Sequence, residues 1–134
     1  MLIFVYGSLK KGFSNHSLIS PFKQVAKGTI QGRMYSLGAF PAIVLSDNPE
    51  ELVHGEIYDV NTEYGLKTID SLEGYNSDRK DNHFYLRVPT KCKTDTGEII
   101  EVNVYCFAPE EESKSLNLRT KVDDGTWKQN RFWR

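Results

Sequence analysis

Charge of one sign, long apolar runs, cysteine and histidine are all scarce in this chain of 134 residues. Seventeen Lys and Arg face 18 Asp and Glu, for a net charge of −1. That balance argues against a dedicated nucleic-acid binder, whose affinity rests on an excess of cations facing phosphates. The longest unbroken apolar stretch, Leu2 to Tyr6 with Met1 before it, is far short of the roughly 20 residues of a membrane-spanning helix. No basic segment precedes a signal-like core, so a soluble, unprocessed protein without a membrane partner is expected. The only cysteines are Cys92 and Cys106. The segment Thr94-Asp95-Thr96-Gly97-Glu98 reads as a turn between two strands, which sets Cys92 opposite a residue near 100. Cys106 then lies roughly 20 Å further along the partner strand, whereas a disulfide needs Cα atoms within about 7 Å. Two free thiols and a reducing, cytoplasmic compartment are therefore expected. His16, His54 and His83 sit in dissimilar segments and form no ligand spacing with the cysteines, so no metal site is expected.

Hydrophobic residues make up 39% of the chain, alongside 10 glycines, a share that excludes a disordered chain or a fibrous repeat. The length suits one domain over residues 1–134, with a core at 1–107 and a C-terminal flap at 108–134. Leu2-Ile3-Phe4-Val5 is a continuous apolar run ended by Gly7, which predicts a central strand buried on both faces. Ser14 or Asn15 can cap a short helix over His16 to Ser20 before Pro21 stops it. Gly28 to Ser36 alternates Ile30, Gly32 and Met34 with Thr29, Gln31 and Arg33, a strand whose glycines allow another backbone to approach. Leu37 to Pro41 is a turn. Ala42 to Leu45 and Val53 to Val60 are two further strands, parted by Ser46-Asp47-Asn48-Pro49. One longer helix follows, with Asn61 as N-cap, Glu63 in its positive first turn and Gly74 as its stop. Asn76 to His83 is a polar loop, and Phe84 to Lys93 pairs with Ile99 to Phe107 in a hairpin.

The helix carries the most informative residue. With about 100° per residue and Leu66 at 0°, Ile69 falls near 300°, Leu72 near 240° and Glu73 near 340°. Glu73 thus lies inside the apolar stripe, where a carboxylate is costly unless paired or partly protonated. Such burial is the usual route to a pKa suited to proton transfer. Periodicity leaves two other outcomes open: the helix ends early and leaves Glu73 in water, or Arg87 neutralises it. Tyr6-Gly7-Ser8-Leu9 is the second feature, a buried strand giving way to a glycine turn whose freed N–H groups can converge on an anion or a polarised carbonyl. It is neither a phosphate loop, because Phe13 stands where the lysine belongs, nor a G-x-S-x-G elbow around Ser8. The basic aromatic tail, Trp127, Lys128, Arg131, Phe132, Trp133 and Arg134, has the residue types that bind single strands. The tail is expected to bury one or two of its aromatics as a closing flap.

Four motifs in order, Phe4-Val5-Tyr6-Gly7-Ser8-Leu9-Lys10, Gly55-Glu56-Ile57-Tyr58, Ile69-Asp70-Ser71-Leu72-Glu73-Gly74 and Tyr85-Leu86-Arg87, resemble the gamma-glutamylcyclotransferase-like family, with matching spacing from Met1 to about Phe107. The resemblance implies an α+β fold, a small mixed β-barrel with flanking short helices. It implies an amide-cleaving enzyme that cyclises a gamma-glutamyl compound to 5-oxoproline without a cofactor. Carried over residue by residue, Glu73 is the catalytic acid/base, Tyr6, Gly7, Ser8 and Leu9 hold the substrate, and Tyr85 lines the site. The Asn76 to Phe84 segment, longer than in some members, is expected to select the leaving amine or act as a lid. The competing reading keeps the cavity as a non-enzymatic small-ligand or protein-interaction module.

Overall fold

Apolar runs become strands here wherever both faces can be covered, and the first segment is the clearest case. The computed structural model describes residues 1–73, 85–108, 112 and 120–128. The Gly74 helix stop, the Asn76 to Phe84 segment and the tail residues Arg131, Phe132, Trp133 and Arg134 lie outside them. Strand β1 (Leu2–Val5) is hydrogen-bonded on both edges, antiparallel to β4 (Leu52–Asp59) and parallel to β6 (Ile99–Phe107). Phe4 points into the interior cluster with Ile30, Ile43, Val53, Ile57 and Val104, while Ile3 and Val5 join a second cluster with Ile19, Tyr58, Ile69 and Tyr105. A strand buried on both faces follows from that alternation, as the sequence predicts.

The remaining elements are a 3-10 helix at His16–Leu18, β2 (Lys23–Ser36), β3 (Pro41–Leu45), α1 (Glu63–Leu72), β5 (Tyr85–Thr94) and β7 (Lys121–Val122). Strands β2-β4-β1-β6-β5 form a continuous sheet, and β5 returns to β2 to close a five-stranded mixed barrel. The closing seam has two residue pairs, Gly28↔Thr94 and Thr29↔Lys93. Gly28 permits it, since a Cβ there would sit 2.5 Å from the Lys93 carbonyl oxygen and 2.7 Å from Cys92 Sγ. Beyond the seam β2 pairs with β3 through Gly32–Ser36 and with β7 at Met34 and Tyr35.

Several boundaries differ from the sequence reading. Strand β2 begins at Lys23 rather than Gly28, because its polar start still ladders onto β4 through an irregularity between Gln24 and Ala26. The helix is capped by Thr62, not Asn61: the Thr62 hydroxyl accepts the Gly65 N–H at 3.0 Å. The short helix is a single 3-10 turn, and Asn15 makes no side-chain cap bond. In the hairpin Cys92 faces Ile100 and Cys106 faces Leu86, and both thiols are free and buried. Trp127 is also buried, packed in the interior cluster. Among the described residues no helix is long and apolar enough to cross a membrane.

Candidate active site

Where β1 runs out of partners the chain turns, and the turn forms one wall of a cavity of about 200 Å³. That is smaller than the roughly 300–1,000 Å³ of drug-sized sites and suits a ligand of amino-acid size. Lys10 N–H donates to the Gly7 carbonyl at 3.0 Å and Asn15 N–H to the Ser8 carbonyl at 2.9 Å, which fixes the course of the turn. Among the described residues the N–H groups of Ser8 and Leu9 have no protein acceptor. Gly7 packs so closely beneath β3 that a Cβ would come within 2.9 Å of Pro41 Cγ. The Leu9 side chain is buried in the cluster under α1 and anchors the turn from the opposite side. Tyr6, Gly7, Ser8, Leu9, Glu73 and Tyr85, the six residues singled out from the sequence, all line this one cavity, together with Asn15, Phe40, Pro41 and Tyr105 among others.

The two tyrosines are held as neutral donors. Tyr6 OH donates to the Tyr105 carbonyl at 2.5 Å, and Tyr85 OH donates to the Pro41 carbonyl at 2.7 Å. Tyr85 also packs edge-on against Phe107, with ring centroids 4.8 Å apart. Burial raises both phenol pKa values above their ordinary range, and the nearby Glu73 charge raises them further. Both hydroxyls therefore keep their protons at neutral pH.

Glu73 caps α1 without leaving the helical path. Its backbone stays in the right-handed region, and its N–H donates to the Ile69 carbonyl at 3.0 Å. The angular position that places Glu73 on the apolar stripe therefore survives to the helix end, where the side chain is half-buried against the cavity. Burial pushes its pKa up to about 7. Arg87 is engaged elsewhere: its Nη1 lies 2.8 and 2.7 Å from the two carboxylate oxygens of Asp70, to which Tyr105 OH also donates. Among the described residues Glu73 has no ion-pair partner.

Asp70 belongs to the third sequence motif, but the resemblance assigns it no role. On the same helical wheel it falls near 40°, about 60° from Glu73, so its place on the buried face was available as a signal. Tyr105, Asn15, Phe40 and Pro41 carry no such signal, because they reach the cavity from β6, a turn and the start of β3. Ser8 Oγ accepts a hydrogen bond from Asn15 Nδ2 at 2.9 Å, while His16 Nδ1 donates to the Leu9 carbonyl at 2.9 Å. Nothing in that arrangement activates Ser8 as a nucleophile. Among the described residues no group of three His, Cys, Asp or Glu converges as a metal site would require. The cavity is thus lined by neutral hydroxyls, by a turn with two N–H groups that have no acceptor among the described residues, and by one carboxylate able to exchange a proton near neutrality.

Known proteins resemble this chain in sequence and in fold. A Methanocaldococcus jannaschii protein provisionally named a gamma-glutamylcyclotransferase is 37% identical over 111 residues, which cover 81% of this chain and 84% of that protein. A Vibrio cholerae protein with the same provisional name is 29% identical over 128 residues, 94% of each chain. The crystal structure of an AIG2-like protein from Mus musculus superimposes with a TM-score of 0.64 at 25% identity, over 97% of this chain and 95% of that one. YkqA from Bacillus subtilis gives a TM-score of 0.69 at 24% identity, a likeness of fold, and this chain spans only 39% of its length. Residues 3–129 match the family described as gamma-glutamyl cyclotransferase, AIG2-like, and the chain belongs to that family.

Proposed function

We propose that this protein is a cofactor-independent cyclotransferase that converts a gamma-glutamyl amide to 5-oxoproline and a free amine. The observation that carries this reading is Glu73, a half-buried carboxylate on a cavity also lined by the Ser8–Leu9 turn, with neither the carboxylate's cation nor an acceptor for the two turn N–H groups found among the described residues. The nucleophile, the α-amine, is already part of the substrate, so the protein must fold the chain, move protons and stabilise charge. Glu73 takes a proton from the α-ammonium, and the freed amine attacks the γ-carbonyl carbon. The new C–N bond closes the five-membered ring, and negative charge moves onto the carbonyl oxygen. The Ser8 and Leu9 N–H groups are suited to receive that oxygen or the substrate carboxylate. Collapse of the intermediate breaks the original amide C–N bond as Glu73 returns its proton to the leaving nitrogen, and the freed carboxylate then takes the second proton of the ring nitrogen and passes it to the departing amine, so that a neutral lactam and an ammonium result. A pKa near 7 suits a group that must both accept and donate at neutral pH. Tyr6 and Tyr85, each tied to a backbone carbonyl, shape the walls and stay neutral.

The direct test is 5-oxoproline release from a panel of gamma-glutamyl amines, gamma-glutamyl amino acids and glutathione. Turnover of at least one class is expected, and folded protein inert towards every member would overturn the reading.

A further inference from the structure

Lys10 follows the donor turn directly, and its side chain runs inward instead of into solvent. It is 8% exposed, and its ammonium donates to the Trp127 carbonyl at 2.9 Å across 117 positions of sequence. The same nitrogen lies 4.8 Å from the centre of the Phe13 ring. Its main-chain N–H closes the turn onto the Gly7 carbonyl. A single residue therefore ends the turn with its backbone and ties it to a distant segment with its side chain. That segment is a fixed point. Strand β7 pairs with β2, His54 N–H donates to the Gly125 carbonyl at 2.9 Å, and Trp127 packs among Phe4 and Tyr6 in the interior cluster. Gly125 has φ +65°, and a Cβ there would overlap the Leu52 carbonyl oxygen at 1.8 Å. None of residues 120–128 lines the cavity.

We infer that Lys10 is a positioning residue: by hooking the Gly7–Leu9 turn onto the Trp127 carbonyl it keeps the Ser8 and Leu9 N–H groups aimed into the cavity. The C-terminal segment thereby becomes part of the working site without touching substrate. Burying an ammonium with one carbonyl acceptor among the described residues is an expensive way merely to fill space. Burial depresses the Lys10 pKa, with Glu56 opposing it. The inference rests on the cyclotransferase reading for its turnover arm only.

Lys10→Met keeps the length and volume of the side chain and removes the link. Losing the buried charge and orphaning the Trp127 carbonyl oppose each other, so Tm should stay within about 3 °C of wild type. Misaimed donors should lower kcat by about 10- to 100-fold with KM changed less than about threefold. Lys10→Arg, which restores a cationic donor, should recover kcat to within about threefold. The backbone amide resonances of Ser8 and Leu9 should shift in Lys10→Met and return in Lys10→Arg, a readout independent of turnover. A folded Lys10→Met protein with wild-type kcat and unmoved Ser8 and Leu9 amides overturns the inference. So does loss of the fold in both Lys10→Met and Lys10→Gln, because the link would then be holding the barrel and not the turn. Wild-type protein inert on the whole panel sinks the cyclotransferase reading instead and leaves the amide shifts to decide the role of Lys10.

Discussion

Asp70 and Glu73 stand three residues apart at the end of α1, and only Asp70 is neutralised. Arg87 and Tyr105 converge on the Asp70 carboxylate, while Glu73 faces the cavity with no cation beside it among the described residues. The division of labour is geometric. Three residues rotate the helix by about 300°, which leaves their side chains about 60° apart, enough for one to meet β5 and β6 and the other to line the cavity. The Asp70 pair docks the helix, and the helix then presents Glu73.

Replacing Glu73 by Gln should preserve the fold and abolish most turnover. The amide keeps the volume but cannot cycle a proton, and loss of general acid/base catalysis costs about 10²- to 10⁴-fold, with a sole proton carrier toward the upper end. Tm should hold or rise slightly, since a desolvated carboxyl is gone. Rates of 5-oxoproline release within about threefold of wild type would exclude Glu73 as the acid/base.

The pH dependence has a definite sign. A carboxyl whose folded pKa is raised to about 7 from 4.5 binds more protons folded than unfolded across that window. Its contribution to stability is therefore most favourable below the lower value and declines as pH rises towards the upper one. The deprotonated form needed to take the ammonium proton is lost below about 7, so kcat/KM should fall on the acid side with an apparent pKa well above that of a free Glu. A pH–rate profile flat to the onset of acid unfolding would refute the burial argument, and Glu73→Gln should erase both the acid limb and the stability slope.

Asp70→Ala should act through stability first. Arg87 and Tyr105 lose a shared carboxylate in a buried setting, with 12–15% side-chain exposure for the ion pair. Breaking one partner of such a pair costs about 3 kcal/mol or more, which for a chain of this size lowers Tm by on the order of 10 °C. Calorimetry decides it: a drop of less than about 2 °C would mean that the pair does not hold α1 in place.

Gly28→Ala tests the closure of the barrel. A methyl group placed 2.5 Å from the Lys93 carbonyl oxygen forces β2 and β5 apart at their two shared pairs. Overpacking of this kind costs about 1–3 kcal/mol, so the urea midpoint should fall while the slope stays constant. An unchanged midpoint would show that the seam is loose enough to absorb a side chain.

Features encoded by near neighbours were legible in the residues themselves. The apolar run Leu2 to Val5 specifies a strand with two buried faces, the Thr94 to Glu98 turn specifies the register that keeps Cys92 and Cys106 apart, and the 100° step of a helix puts Glu73 on the buried side. The α+β barrel and the six residues around its cavity were expected through resemblance, which draws on the whole order of motifs at once. Misread boundaries have local causes as well: the polar residues Lys23 and Gln24 look like loop until β4 supplies their ladder, and Thr62 outbids Asn61 by one position of cap geometry.

Other features needed the folded chain. Closure of β2 on β5, the choice of Asp70 over Glu73 by Arg87, and the reach of Lys10 to Trp127 join residues separated by 17 to 117 positions. Periodicity reports which way a side chain faces, because that depends only on backbone repeat. It does not report what the side chain meets there, because strand edges, carboxylates and carbonyls compete for partners across the whole molecule. Packing alone settles that competition, and on the cavity wall it leaves Glu73 without an ion-pair partner among the described residues.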